Sequence, residues 1–214
     1  MATYSNPPMF PEDFFKGRIG SNDILRSIVT DPEKESVEAA EVLLRTAAGL
    51  DVNDIHGQDT PTRFVHMLKE LTTPSPIKWK TFTNEGYDEL IIVRDIPFVS
   101  LCAHHVVPFH GTANIGYIPD LLVAGLSKFA RVVQHFAKAL QIQEKLTKEV
   151  ADFLQENLMP LGVAVVMEAE HMCMTIRGAH VPGTKTYTAS MYGRFADHDR
   201  TAKAEFLARL NGGH

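Results

Sequence analysis

Apolar positions recur at steps of three and four between Glu35 and Leu50, at Val37, Ala40, Leu44 and Ala47, which predicts a helix with Gly49 near its end. A second helix is expected to start with Thr60 as its cap and Pro61 at the first helical position. It runs through Phe64, Leu68 and Leu71 on one face until Pro74 and Pro76 end it. Leu90 to Cys102 is rich in Ile, Val and Phe and reads as a strand, with Pro97 marking a bulge or an edge. Gly111 to Ile118 alternates as a second strand. Leu126, Phe129, Ala130, Val133, Ala137 and Leu140 then define an amphipathic helix, and Leu146, Val150, Phe153, Leu154 and Leu158 define another behind it, forming a helical pair. After Pro160, three strands are expected at Gly162 to Glu170, Met172 to Arg177 and Tyr187 to Phe195, with a closing helix from Thr201 to Leu210. Residues 1–33 are punctuated by Pro7, Pro8, Pro11, Gly17, Gly20 and Pro32 without periodicity and are expected as a loosely ordered arm.

The length, 214 residues, suits one full domain with a tail or two small domains. With 44% hydrophobic and 22% charged residues, the chain is neither disordered nor collagen-like. Its net charge of -5 offers no basic excess for nucleic acid, so an anionic substrate has to meet a local cluster of cations. The longest apolar runs, such as Gly162 to Met167, fall far short of the roughly 20 residues of a membrane helix, so no membrane span is expected. Cys102 and Cys173 are too few for a disulfide scaffold, and no basic segment leads into an apolar signal core. A cytoplasmic, reducing location is the expectation.

Cys102-Ala103-His104-His105 sets a thiolate and an imidazole three residues apart, a spacing that lets both reach one Zn2+ from a single turn. In a strand, His171-Met172-Cys173 alternates, which turns His171 and Cys173 to the same face. Cys102, His105 and Cys173 therefore make a candidate three-ligand site, with His104 and His171 as spare histidines. Three protein ligands leave a fourth position for water, the pattern of a catalytic zinc site, whereas a structural site needs a fourth ligand, for which His110 is the close candidate. Unpaired cysteines also fit an ordinary role as small core residues.

Ser127, Lys128 and Arg131 open the helix after Gly125, where the dipole and free N–H groups favour an anion such as phosphate, although Lys128 and Arg131 fit a solvated face as well. Gln143-Glu144 falls at the break between the paired helices, where a carboxylate can accept from a guanine-like edge or the pair can cap a helix. By position alone, Arg177 and Arg63 read as surface arginines. A zinc nucleobase deaminase needs His-x-Glu followed by Pro-Cys-x-x-Cys, and the sequence has neither.

Taken together, Ser100-Leu101-Cys102-Ala103-His104-His105, Gly116-Tyr117-Ile118-Pro119, Gly125-Leu126-Ser127-Lys128, Gln141-Ile142-Gln143-Glu144-Lys145-Leu146-Thr147 and His171-Met172-Cys173-Met174 resemble GTP cyclohydrolase I, over about Val37 to Leu210. The resemblance implies an α+β tunnelling fold (T-fold), an antiparallel sheet with a helical pair packed on one side, plus N-terminal helices. The family-like domain would then span residues 34–214, with the helices at 34–73 and the T-fold core at about 88–214. The resemblance further implies homo-oligomers, two pentamers stacked into a decamer with sites at subunit interfaces. GTP is the implied substrate, 7,8-dihydroneopterin triphosphate and formate the products, and one Zn2+ per subunit the cofactor, on Cys102, His105 and Cys173. The resemblance places His104 and His171 in proton transfer, Ser127, Gln143 and His171 near the ribose, Glu144 on the guanine edge, and Lys128, Arg131, Arg177 and Arg63 on the triphosphate. Two positions depart from the family pattern. Ala103 stands where Cys-Glu-His-His is usual, and His66 where Lys is frequent. The first departure leaves open a second reading, a GTP- or pterin-binding regulatory module with impaired turnover.

Overall fold

Residues 32–196 and 201–212 are described by the computed structural model, which divides into an N-terminal unit ending at Glu70 and a larger unit from Leu71 onward. The expected arm over residues 1–33 lies outside the described residues except for its last two positions.

The N-terminal unit holds α1 (Pro32–Ala48) and all but the last two residues of α2 (Thr60–Thr72). Ala40 of α1 and Pro61 and Val65 of α2 are buried, as the three-and-four spacing requires. Glu33, in the first turn of α1, accepts from His66 Nε2 at 2.8 Å and pairs with Lys69 Nζ at 2.8 Å. Hydrogen bonds from these two side chains hold the Glu33 carboxyl below its ordinary range, Lys69 contributing most.

The larger unit runs β1 (Thr81–Thr83), β2 (Ile91–Cys102), β3 (Pro108–Ile118), β4 (Leu122–Ala124), α3 (Ser127–Ala137), β5 (Leu140–Gln141), α4 (Gln143–Leu158), β6 (Gly162–His171), α5 (Met172–Thr175), β7 (Lys185–Gly193) and α6 (Thr201–Asn211). A five-stranded sheet has the order β5-β2-β3-β6-β7, and β1 pairs with β4 beside it. This is the α+β arrangement that the resemblance implies, with one amendment to the sheet. The β5–β2 pair is parallel, so the sheet is mixed at that edge, while its other pairs are antiparallel.

Inward positions of the sheet meet the helical pair. Phe109, Ala113, Ile115 and Tyr117 of β3 and Val163, Val165, Met167 and Ala169 of β6 are buried against Phe129, Val132, Val133 and Phe136 of α3 and Leu146, Val150, Phe153 and Leu154 of α4. Trp79 closes one end of this core, edge-on to Phe153 at 5.2 Å, with its indole N–H donating to Asn157 O at 3.2 Å. On the opposite face α6 lays Phe206 against Ile118, Ala164, Val166 and Phe195. With both faces covered, β6 reads in sequence as an uninterrupted apolar run, Gly162 to Met167.

Pro97 lies within β2, on the side left open because β5 pairs only with Leu101 and Cys102. The bulge sits just upstream, where Arg94 and Asp95 together oppose Asn114. Asp95 takes φ +55 there, and its N–H donates to Asn114 Oδ1 at 3.0 Å.

Two expected elements are corrected. Leu140 does not extend α3, which ends at Ala137, because Ser100 Oγ donates to the Ala137 carbonyl at 2.6 Å and Leu140 and Gln141 then pair with β2. Met172 to Arg177 is not a strand. The β3–β6 ladder ends at the pair Phe109–His171, the next residue of β3 is Pro108, which has no N–H to continue it, and the chain turns into α5.

Gly111 of β3 leaves no room for a side chain against β6, since an added Cβ would stand 1.9 Å from Glu168 O. Gly111→Ala is therefore expected to destabilise the fold by about 2–3 kcal/mol. Equilibrium denaturation measures this, and a loss below about 0.5 kcal/mol would contradict the close approach.

Candidate active site

The β2–β3 hairpin begins and ends on one residue's backbone. Cys102 N–H donates to Val107 O at 2.9 Å, while Cys102 O accepts from His105 N–H at 3.3 Å and Val106 N–H at 2.8 Å. That turn curls the chain so that His105, three residues on, stands above Cys102. Val106 is left with φ +55, a costly conformation for a β-branched residue, held by the hydrogen bonds on either side.

Although α5 replaces the expected strand, it still brings Cys173 to the hairpin. Cys102, His105 and Cys173 each offer a ligand atom, all within 4.8 Å of one another, with Cys102 buried, Cys173 half-buried and His105 exposed. Burial, and then the neighbouring Cys102, push the Cys173 thiol above its ordinary range, while Arg177 acts in the opposite sense. Two sulfurs this close resist joint ionisation, and a divalent cation between them reverses the penalty. Two thiolates and an imidazole fit a borderline-soft ion such as Zn2+, and three protein ligands are the number usual in a catalytic zinc site. His110 is not in this group: it pairs in register with Glu170, and β-alternation turns it away from the face that Phe109 shares with the core.

The two spare histidines have different surroundings. His104 Nδ1 lies 3.8 Å from Cys102 Sγ, and His104 is exposed. His171 stacks on Phe109, centroids 4.7 Å apart and planes within 2°. Burial lowers the His171 pKa, and the Glu144 carboxylate acts in the opposite sense. The Gln143 side chain does not cap α4. It is buried at 1% exposure, with Oε1 2.8 Å from His171 Nε2 and Nε2 donating to Met167 O, Thr186 O and Thr188 Oγ1. Glu144, the next residue, is exposed at the mouth.

Among the expected anion-binding residues, Ser127 is the exposed first residue of α3, whose N-terminus has no side-chain cap, with Lys128 half-buried and Arg131 exposed along the helix. Arg177 is exposed just after α5. Arg63 belongs to the N-terminal unit, where its guanidinium donates to His56 O and Thr60 Oγ1, both at 3.0 Å, and faces Asp59.

Sequence reasoning missed three residues that build this site. Phe109 is the platform under His171, Thr188 closes the Gln143 network from β7, and Glu170 tethers the segment that follows α5. The Glu170 carboxylate accepts from Gly183 N–H at 2.9 Å and from Thr175 Oγ1 at 3.1 Å, fixing both ends of the stretch that contains Arg177. All three act through sheet register, which leaves no local pattern to read; His171 lying next to Glu170 was the nearest available signal.

Compared with known proteins, residues 23–211 match the sequence model of the family described as GTP cyclohydrolase I. A protein named GTP cyclohydrolase 1 from Sulfurihydrogenibium sp. is 44% identical over 180 residues, 84% of this chain and 96% of its own length. The protein of that name from Halalkalibacterium halodurans is 44% identical over 185 residues, 84% of this chain and 98% of its own. A shorter match, 54% identical over 127 residues, covers 59% of this chain and 54% of the Dictyostelium discoideum protein of the same name.

The Gly183 and Thr175 bonds hold the Glu170 carboxyl below its ordinary range, Gly183 contributing most. A carboxyl depressed in the folded state gives a tether that is complete above about pH 5 and lost as pH falls through the lowered value. Hydrogen exchange is expected to show Gly183 N–H protected at neutral pH and released in acid, and Glu170→Ala to release it already at neutral pH. Equal protection in the variant would remove Glu170 from this role.

Proposed function

The chain is an enzyme of the GTP cyclohydrolase I family, and we propose that it converts GTP into 7,8-dihydroneopterin triphosphate and formate with one Zn2+ per subunit held by Cys102, His105 and Cys173. The observation that supports this most is the Cys-His-Cys group gathered within 4.8 Å next to two histidines that are not part of it. When bound there, the ion supplies Lewis-acid activation of the water that attacks C8 of the purine. The chain's own residues do the rest. His104 and His171 hold and move the protons that imidazole-ring opening, formate release and ribose rearrangement require. Exposed Glu144 accepts from the N–H edge of guanine, which offers donors that match a carboxylate. Ser127 stands near the ribose, and Gln143 serves it through His171. By the family resemblance the triphosphate, with roughly four negative charges, is met by Lys128, Arg131 and Arg177 of the larger unit and by Arg63, since a chain of net charge -5 needs local cations to attract it.

Assembly belongs to the same proposal: a homodecamer of two stacked pentamers, with sites completed between subunits. Apolar side chains open to solvent in the single chain support it, among them Leu121 at 75% exposure and Leu126 at 66%, the latter adjoining Ser127. Among the described residues no helix is long and apolar enough to cross a membrane, and the unpaired cysteines suit work in a reducing cytoplasm.

A second reading, a GTP- or pterin-binding module with impaired turnover, rests on Ala103, which lacks the carboxylate usual beside the ligands. Zinc-loaded protein incubated with GTP is expected to release formate as dihydropterin absorbance rises, and a chelated sample to do neither. GTP binding with bound zinc but no formate would favour the module. Cys102→Ser, His105→Ser and Cys173→Ser are each expected to lower zinc content at least about tenfold and abolish turnover. His110→Ala should keep the metal, and His104→Ser should keep it while losing about 100-fold or more in turnover. Wild-type turnover in His104→Ser would refute its part in proton transfer.

A further inference from the structure

The hydrogen bonds around Gln143 assign a proton on His171. Gln143 Nε2 has three neighbours, Met167 O at 3.2 Å, Thr186 O at 3.0 Å and Thr188 Oγ1 at 3.0 Å. Two of them are backbone carbonyls, which only accept, so the amide nitrogen must lie at this end; a flipped amide would set its oxygen against two others. The Thr188 hydroxyl agrees. Thr147 Oγ1 donates its single proton to Gln143 O at 2.8 Å, so in the Thr147–Thr188 pair at 2.7 Å Thr188 is the donor. Its lone pair is then free to receive Gln143 Nε2, whose two protons are shared among three acceptors. The amide oxygen is left facing His171 Nε2 at 2.8 Å, and an amide oxygen only accepts.

We propose that Gln143 is a positioning residue that fixes His171 as its Nε2–H tautomer, leaving Nδ1 as the ring's proton acceptor. Gln143 fits that part better than direct contact with substrate, since it is 1% exposed and its polar atoms are already engaged within the protein. Stacking on Phe109 fixes the plane of the ring, so Nδ1 points in one direction. The consequence for chemistry rests on the function proposed above: any proton exchanged with substrate at this ring passes at Nδ1, because Nε2–H is already donated to Gln143 Oε1.

The test uses the full-length, zinc-loaded protein with 15N-labelled histidine, the His171 signals being identified by their loss in His171→Gln. Solid-state 15N spectra are expected to show His171 Nδ1 unprotonated and Nε2 protonated. A protonated Nδ1 on neutral His171 would overturn the proposal whatever the activity. Gln143→Met keeps the length of the side chain without its polar atoms. It is expected to give averaged His171 signals from mixed tautomers, to keep zinc, and to lower kcat at least about tenfold while KM stays within about threefold. An unchanged His171 spectrum in this variant, or a raised KM with kcat intact, would also overturn it, the latter because it makes Gln143 a substrate ligand. If Gln143→Met does not fold, the wild-type spectrum decides alone. Absence of GTP turnover in the wild type would sink the proposed function and leave the tautomer assignment standing or falling on its own spectrum.

Discussion

The register of β6 against β3 is the constraint on which the site depends. Pairing runs unbroken from Ile118–Gly162 to Phe109–His171, and it delivers His171 to the same end of the sheet as the Cys102 hairpin. A slip of one residue would turn Val163, Val165, Met167 and Ala169 away from the helical pair, and would turn His171 off Phe109 with them. Hydrophobic burial on both faces of β6 thus fixes the position of a polar ring, and the ladder's end at Pro108 sends the chain into α5, whose second residue is Cys173. The positions of Cys173 and His171 are set by one alignment.

Apolar packing by itself would tolerate some sliding of α4 over the sheet. The polar network at its start does not. Gln143 and Thr147 tie the first turns of α4 to Met167 of β6 and to Thr186 and Thr188 of β7, inside surroundings where an unpartnered group costs about 1–3 kcal/mol. Ser100 acts similarly at the end of α3, where it accounts for carbonyls that the helix leaves over, and so brings Gln141 beside Cys102. These few hydrogen bonds convert a generic helix-on-sheet core into one with a single alignment at the mouth of the site.

What the sequence reveals follows from the range of each interaction. Helices α3 and α4 are visible because their contacts repeat every three or four residues, and Cys102 with His105 because one turn places them together. Leu140 continues the apolar stripe of α3 and yet pairs with Leu101, since the hydroxyl that stops the helix belongs to Ser100, distant in sequence. His171-Met172-Cys173 is too short to distinguish strand from helix; what decides is the missing N–H of Pro108 on another strand. Cys173 still comes within reach of Cys102 in the helical conformation that the chain adopts. Phe109, Thr188 and Glu170 had no such redundancy, as each acquires its role only through pairing.

The Ala103 departure bears on chemistry more than on architecture. Ala103 N–H is held by Gln141 O at 2.9 Å, and the hairpin is closed by the backbones of Cys102 and Val107, so the turn makes no use of the side chain at position 103. That side chain is exposed, beside a centre where two thiols already disfavour each other's ionisation. Taking a carboxylate away from this point weakens the local attraction for a cation and eases the approach of an anionic substrate at once, two effects of opposite sign on turnover. It also removes a group able to take up protons next to the ligands. An imidazole's capacity to accept or donate is set by what its second nitrogen is bonded to, and for His171 that partner is the amide of Gln143, a side chain buried in the core.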